Sequence, residues 1–323
     1  MLLAIAQRLG QMLFVMVGIS VTVFLIFFAT PGADPSARIA GRNASPEILE
    51  AVRKSFGFDQ PFYVQYLIMM KKIFITGDLT SFVNRGWKVV PAILDAIPVT
   101  LSLVVGAAVL WVIFAIILGT VAAATRGSWL DKFLMILGLI GISMPVYWLG
   151  EVMNLITQSR FKDTWMFSWV PPLGYKNLSD DPKAWFLTLI IPWITLAILY
   201  IGLYARVLRA NLIEAMQEDY VRTARAKGLS ETRILLRHAL RTSLISFVTL
   251  FGLDFGALVG GAALLTEVVF DLHGVGKLTY EALLTLDLPV IMATVLYASF
   301  FVVLANALVD VLYIFLDPRV RTA

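Results

Sequence analysis

Residues 98–124 read PVTLSLVVGAAVLWVIFAIILGTVAAA, 27 consecutive positions without a charged side chain. A helix needs about 20 mainly apolar residues to cross the hydrocarbon core of a bilayer, so this run is long enough to span one. Comparable runs occur at 9–29, 133–157, 185–205, 244–265 and 290–315. The chain is therefore read as an all-α polytopic membrane protein with six transmembrane helices. Composition agrees, because 59% of its 323 residues are hydrophobic and only 15% are charged, far more apolar than a soluble domain of this size requires. The net charge of +4 is small, and no nucleic-acid partner is expected from it. Cysteine is absent, which excludes disulfides, thiolate zinc sites and thiol nucleophiles. The two histidines, His238 and His273, flank the fifth expected span, which argues against a histidine metal centre.

The first span follows Arg8 and stops at Pro31 and Gly32. A cleaved leader is the competing reading, but the run is long and lacks a small-x-small cleavage site, so an uncleaved span is expected over 1–31. Composition then turns polar and mixed over 32–97, which reads as a small extramembrane domain. Ser45 before Pro46 and Glu47 is a good helix start, and Ile48, Leu49, Val52 and Phe56 repeat on one face up to Gly57. A second helix is expected over 62–74, after Pro61. The remaining spans form a core unit over 98–323. In the third span Pro145 removes a backbone hydrogen bond, and the freed carbonyl must find a partner inside the protein, so a kink facing other helices is expected; Met144 and Pro145 are expected on the substrate path together with Asp254 and Glu151.

Orientation follows from charge in the short loops. Residues 206–241 hold eight Arg or Lys against four Asp or Glu, and Arg319 and Arg321 follow the last span. These sides are expected to be cytoplasmic, with both termini there. The 266–289 loop has one Lys against four acids and is placed outside. By the parity of spans, so is the 32–97 domain.

The largest polar interruption of the core unit is 217–241, QEDYVRTARAKGLSETRILLRHALR. Glu218 to Lys227 contains no helix breaker and leads to Gly228, the residue best able to supply a left-handed helix end. Ser230 can cap a second helix, with Glu231 in its first turn and Arg237 and Arg241 toward its end, where cations are favoured. The expectation is helix, glycine turn, helix. Thr223, Ala224 and Ala226 are small and lie among Arg222, Arg225 and Lys227, so the first helix can approach another protein closely.

No enzyme signature is present. HGVGKLT at 273–279 has the wrong glycine spacing for a phosphate-binding loop, and Leu278 follows its lysine where Ser or Thr is needed. Two acids fall inside expected spans, Asp254 in the fifth and Glu151 in the third. Charge there is unfavourable by about 3 kcal/mol, so each should face a water-filled cavity or a partner. Asp254 could meet the ammonium end of a passing peptide or a cationic substrate; the structural alternative is an acid hydrogen-bonded to a neighbouring helix. For Glu151, access to outer water is the simpler reading. Gly252, Gly256 and Gly260 recur every fourth residue, a face for close helix packing that could also slide as part of a gate. Trp185 and Tyr313 near span ends, with Met69 and Met70, read as interfacial anchors or packing.

The words EDYVRTARAKGLS and LLRHALR resemble the cytoplasmic coupling loop of membrane subunits of bacterial binding-protein-dependent ABC importers, in the version of dipeptide and oligopeptide permeases. PGADP, FGFDQP, VQY and GDL after the first span, the E-x-V-F motif at Glu267–Phe270 with the G-x-G-K-L turn at Gly274–Leu278, and LDPRVR at the end extend the resemblance over nearly the whole chain. Two departures stand out: Arg222, Thr223 and Ala224 replace the Glu-Ala-Ala triplet of the wider superfamily, and Ser246 stands where proline is common. The resemblance implies an inner-membrane permease subunit paired with a second homologous permease. Two ABC ATPases would bind ATP and Mg, this chain binding no cofactor itself, and an extracytoplasmic solute-binding protein would deliver di- or oligopeptides. It implies that 206–241 is the coupling loop, with Glu218, Asp219, Tyr220, Arg222, Thr223, Ala224, Arg225, Ala226, Lys227, Gly228, Leu229 and Arg237 facing the ATPase. Two other classes stay open at this point: a secondary transporter or channel using Asp254 and Glu151 for ion coupling, and a receptor or scaffold without flux.

Overall fold

A computed structural model describes residues 2–28, 36, 45–84 and 86–316. PGADP at 31–35, Arg319 and Arg321 lie outside the described residues. Helix α1 (Leu2–Phe28) covers the first apolar run. In the polar region α2 (Pro46–Phe56) has Pro46 at its first position and ends at Gly57, where φ is +72°. Helix α3 (Phe62–Lys71) continues through a π turn, Lys72–Thr76, to Gly77. Both agree with the expected helices.

The later helices depart from the apolar runs in instructive ways. Helix α4 (Val89–Ala124) begins before position 98 and passes through Pro98 without interruption. Its first turns contain Lys-flanked and acidic sequence, yet Val89, Ile93 and Ala96 on one face are buried. Helix α7 (Pro182–Ala215) likewise runs beyond position 205, because Leu208, Leu212 and Ala215 keep a buried helical stripe after the hydropathy drops. It is capped by Asp181, whose side chain accepts from the Ala184 amide at 2.9 Å, with Pro182 at its first position.

The third apolar run is broken rather than kinked. Helix α5 (Trp129–Ser143) and helix α6 (Val146–Asn154), which continues through a π turn to Arg160, meet at 94° across Met144 and Pro145. Pro145 serves as the N-cap of α6, and its carbonyl accepts from Leu149 N at 3.0 Å. The missing donor is thereby placed at a helix start, where it would have had no partner anyway.

Helices α8 (Asp219–Ala226) and α9 (Glu231–Ile234) form the polar loop. Beyond α9 the chain passes a π turn, Leu235–Ala239, directly into α10 (Leu240–Ala257) and a second π turn, Leu258–Ala262. The expected helix end near Arg241 does not exist. Cations favour a helix C-terminus but do not create one, and nothing between Glu231 and Ala257 breaks the helix. Ser230 occupies the N-cap position of α9 without a side-chain capping bond. Helices α11 (Leu264–Val269), α12 (Val275–Thr285) and α13 (Leu288–Leu316) complete the described chain.

Four helices are long and apolar enough to cross a membrane, Val89–Ala124, Pro182–Ala215, Glu231–Ala262 and Leu288–Leu308, and the bent pair α5–α6 is a fifth candidate. The apolar part of α1, Gly10–Ile26, is shorter. Among the described residues one large buried cluster joins α4, α7 and α10 around Trp111, Tyr204, Leu208 and Phe247. A second joins α1, α3, the start of α4 and α13 around Phe24, Leu79, Val89 and Ile291. Glycines permit the closest approaches: a Cβ at Gly202 in α7 would stand 2.2 Å from the Gly138 carbonyl oxygen in α5. At Gly256 in α10 it would stand 2.2 Å from Ala305 Cβ in α13. Gly260 meets the Ala298 carbonyl in the same way, so two of the three glycines on this span form a packing face against the last helix.

Candidate functional site

The polar loop is built from a short helix that terminates itself. Glu218 is the N-cap of α8 and Lys227 its C-cap, and Gly228 follows at φ +78°. Gly228 N donates to the Arg225 carbonyl at 2.9 Å and Leu229 N to the Ala224 carbonyl at 3.3 Å. This pair of bonds is the Schellman arrangement, which satisfies carbonyls a helix end leaves open. Leu229 folds back onto Val221, Ala224 and Ile234, a small apolar cluster that also meets Met216 at the end of α7. The two helices are joined on the outside as well, by Arg225, whose Nε and Nη2 reach the Glu231 carboxylate at 2.6 and 3.0 Å.

Residue by residue, the loop therefore has two faces. Val221, Ala224 and Ile234 point inward. Glu218, Asp219, Tyr220, Arg222, Thr223, Ala226, Lys227 and Arg237 are exposed, with Arg222 paired to Asp219 at 3.1 Å. Ala224, expected at the contact face, instead anchors the helix. Behind the loop a cleft of about 500 Å³ is lined by Arg126, Gln217, Arg225, Glu231 and Thr232.

Within the expected spans, Asp254 in α10 accepts a 2.6 Å hydrogen bond from the Tyr204 hydroxyl in α7. Glu151 in α6 is exposed and far along the chain from that pair, and Met144 and Pro145 mark the α5–α6 break. These four residues are not brought into one site by any hydrogen bond or ion pair among the described residues.

Three carboxylates that hold the architecture together were not singled out from the sequence as such. Asp131 is almost fully buried and takes both ends of the Arg209 guanidinium, while also accepting from Gly127 N at 2.9 Å. Its signal was the Ser128-x-x-Asp131 spacing of a capping box; Ser128 Oγ accepts from Asp131 N at 3.3 Å. Glu267 in α11 is fully buried, accepting from Thr100 Oγ1 in α4 at 2.7 Å and from Lys277 N at 2.8 Å. A Cβ on Gly274 would stand 2.5 Å from that carboxylate. The E-x-V-F and G-x-G-K-L segments are thus one unit, the glycines making room for the acid. Burial pushes the Glu267 carboxyl above its ordinary value, against the Thr100 and backbone hydrogen bonds. Asp271 beside it is paired with Lys277, and that contact holds it below the usual range. The third, Asp287, accepts from Ser81 Oγ and from Phe82 N, the latter at 3.0 Å, fastening the polar region between α3 and α4 to the α12–α13 turn.

Residues 115–322 match the family described as binding-protein-dependent transport system inner membrane component, and residues 1–104 match its N-terminal counterpart. A putative peptide transport system permease protein of Brucella abortus (strain 2308) is 40% identical over 317 residues, covering 98% of each chain. A probable D,D-dipeptide transport system permease of Escherichia coli (strain K12) is 35% identical, covering 97% of this chain and 96% of that one. A dipeptide transport system permease of Alkalihalophilus pseudofirmus is 31% identical over 98% of each. Among solved structures, the inward-facing MetNI methionine ABC transporter matches with a TM-score of 0.52 at 16% identity, over 70% of this chain and 96% of that chain; this likeness concerns the fold.

Proposed function

The chain belongs to the binding-protein-dependent transport system inner membrane components, and from that premise we propose that it forms half of a peptide translocation path, opened and closed through its 206–241 loop. It is a permease subunit of an ABC importer and a multi-pass inner-membrane protein, with ATP hydrolysis in separate subunits. In the proposed arrangement six helices span the membrane, the broken α5–α6 pair counting once, and both termini are cytoplasmic. The 32–97 region lies outside beside a solute-binding protein. A second homologous permease completes the path, and two ATPases carry ATP and Mg. Peptides are the proposed substrate class because the relatives above are named for peptide or dipeptide transport.

One observation carries the coupling role. Helix α8 is fixed from behind by Val221, Ala224 and Leu229 and from the side by Arg225–Glu231, yet presents Tyr220, Arg222, Thr223, Ala226 and Lys227 outward. A rigid exposed element packed against α9, which runs unbroken into α10, transmits displacement; a mobile loop would absorb it. Movement of α8 would pass through α9 into α10, and the attached spans would exchange inward for outward access. The ion-coupled alternative has no supporting observation, since the family takes its energy from a partner.

The test is reconstitution of the complete complex in proteoliposomes, with a cysteine introduced at Ala226. We expect ATP-dependent uptake of a labelled dipeptide and a disulfide from this position to a cysteine on an ATPase subunit. Uptake without ATPases, or no cross-link in an active complex, would rule the assignment out.

A further inference from the structure

Asp254 sits in a membrane-crossing helix, partly exposed, beside an aromatic wall contributed by three helices. Trp111 of α4 stacks on Tyr200 of α7 with ring centroids 4.7 Å apart and lies 6.2 Å from Tyr204 and 5.8 Å from Phe251 of α10. Trp111 and Tyr204 are fully buried, whereas Tyr200, Phe251 and Asp254 keep a partly open side. Tyr204 saturates only one carboxylate oxygen, Oδ2. Among the described residues Oδ1 has no donor, the Tyr200 hydroxyl has no partner, and the buried Trp111 Nε1 is unpaired.

Three features define what this place recognises. The exposed side of a carboxylate in mid-membrane must face water or protein rather than lipid. The open Oδ1 accepts hydrogen bonds, and no basic residue among the described residues pairs with it. The partly open rings of Tyr200 and Phe251, backed by the buried Trp111 and Tyr204, offer π faces, which attract a cation and also shelter an apolar side chain. A ligand satisfying all three carries a primary ammonium next to a small organic body.

We infer that Asp254 and Tyr200, walled by Trp111, Tyr204 and Phe251, form a station in the translocation path that holds the terminal ammonium of the substrate. The inference rests on the peptide-path reading and adds a position and a chemical specificity to it. Tyr204 is the positioning residue: its hydroxyl fixes the carboxylate so that Oδ1 turns toward the open side.

The experiment uses the complete complex in nanodiscs, nucleotide-free and without binding protein, and compares equilibrium binding of alanyl-alanine with lactoyl-alanine, in which a hydroxyl replaces the ammonium. Wild type is expected to prefer the ammonium ligand, and Asp254→Asn to lose the preference by about tenfold. Asp254→Glu is expected to restore it, which a packing defect would not allow. Tyr204→Phe keeps the carboxylate and should retain part of the preference. Absence of preference in wild type, an unchanged preference in Asp254→Asn, or failure of Asp254→Glu to rescue overturns the station; so does a cation of the partner permease cross-linking to Asp254. Uptake of dipeptide by the wild-type complex is measured in parallel: loss of uptake there sinks the peptide reading and the station together, while normal uptake with an indifferent Asp254→Asn sinks the station alone.

Discussion

Arg209 grips Asp131 with both arms of its guanidinium, Nε to Oδ1 at 2.5 Å and Nη2 to Oδ2 at 2.6 Å, locking the first turn of α5 onto the last turns of α7. Asp131 keeps only 4% of its side chain exposed and Arg209 a quarter. Removing one partner strands the other charge, so Asp131→Leu is expected to destabilise by about 2–3 kcal/mol, whereas pairing it with Arg209→Met should recover most of the loss. Thermal unfolding of the purified complex reads both; an unchanged midpoint in the single variant would contradict the reading.

The Gly228 turn gives a second expectation. At φ +78° a β-branched residue is strained by about 1–2 kcal/mol, and the strain falls where α8 is aimed. Gly228→Val should lower ATP-driven uptake and ATPase co-purification while far-UV circular dichroism stays unchanged. Gly228→Asn, which tolerates this conformation, should retain most of both.

At Gly256 the constraint is contact rather than φ. An added methyl would lie 2.2 Å from Ala305 Cβ, so α10 and α13 must separate. Gly256→Ala should destabilise by about 1–3 kcal/mol, and Gly256→Ala with Ala305→Gly should regain part of it. Melting curves of the two variants side by side decide the matter.

Glu267 sets a pH dependence of definite sign. Its folded pKa lies above the ordinary 4.5, because burial opposes the charged form. The protonated acid is therefore favoured in the folded chain, and its stabilising effect is complete below about 4.5 and declines as pH rises through the folded value. Glu267→Gln should flatten that decline between pH 4.5 and the upper limb of the curve. A variant whose profile tracks wild type throughout would show that another group is responsible.

The sequence made the α8–Gly228–α9 turn legible because helix propensity, glycine and charge all agreed within a dozen residues. It also made the apolar runs legible, as these depend only on local composition. What escaped it required knowledge of what lies across space. Thr100 and Glu267 are separated by 167 positions, Ser81 and Asp287 by 206, and no periodicity announces such pairs. Helix ends were missed for the same reason: α4 and α7 continue past their apolar stretches because neighbours bury Val89, Ile93, Leu208 and Leu212. Pro145 signalled a disturbance correctly, but whether a proline bends a helix or divides it depends on packing on both sides.

The division at Met144 and Pro145 bears on the surrounding lipid. Helix α5 has 15 residues, a length of about 22 Å at the usual rise, against a hydrocarbon thickness of about 30 Å. The next helix leaves at 94°, so the pair reaches less far along any one direction than an unbroken helix of the same length. A broken pair that reaches less far than its full-length neighbours is the part of the chain that a thicker bilayer would strain first, and straightening the break would relieve that strain.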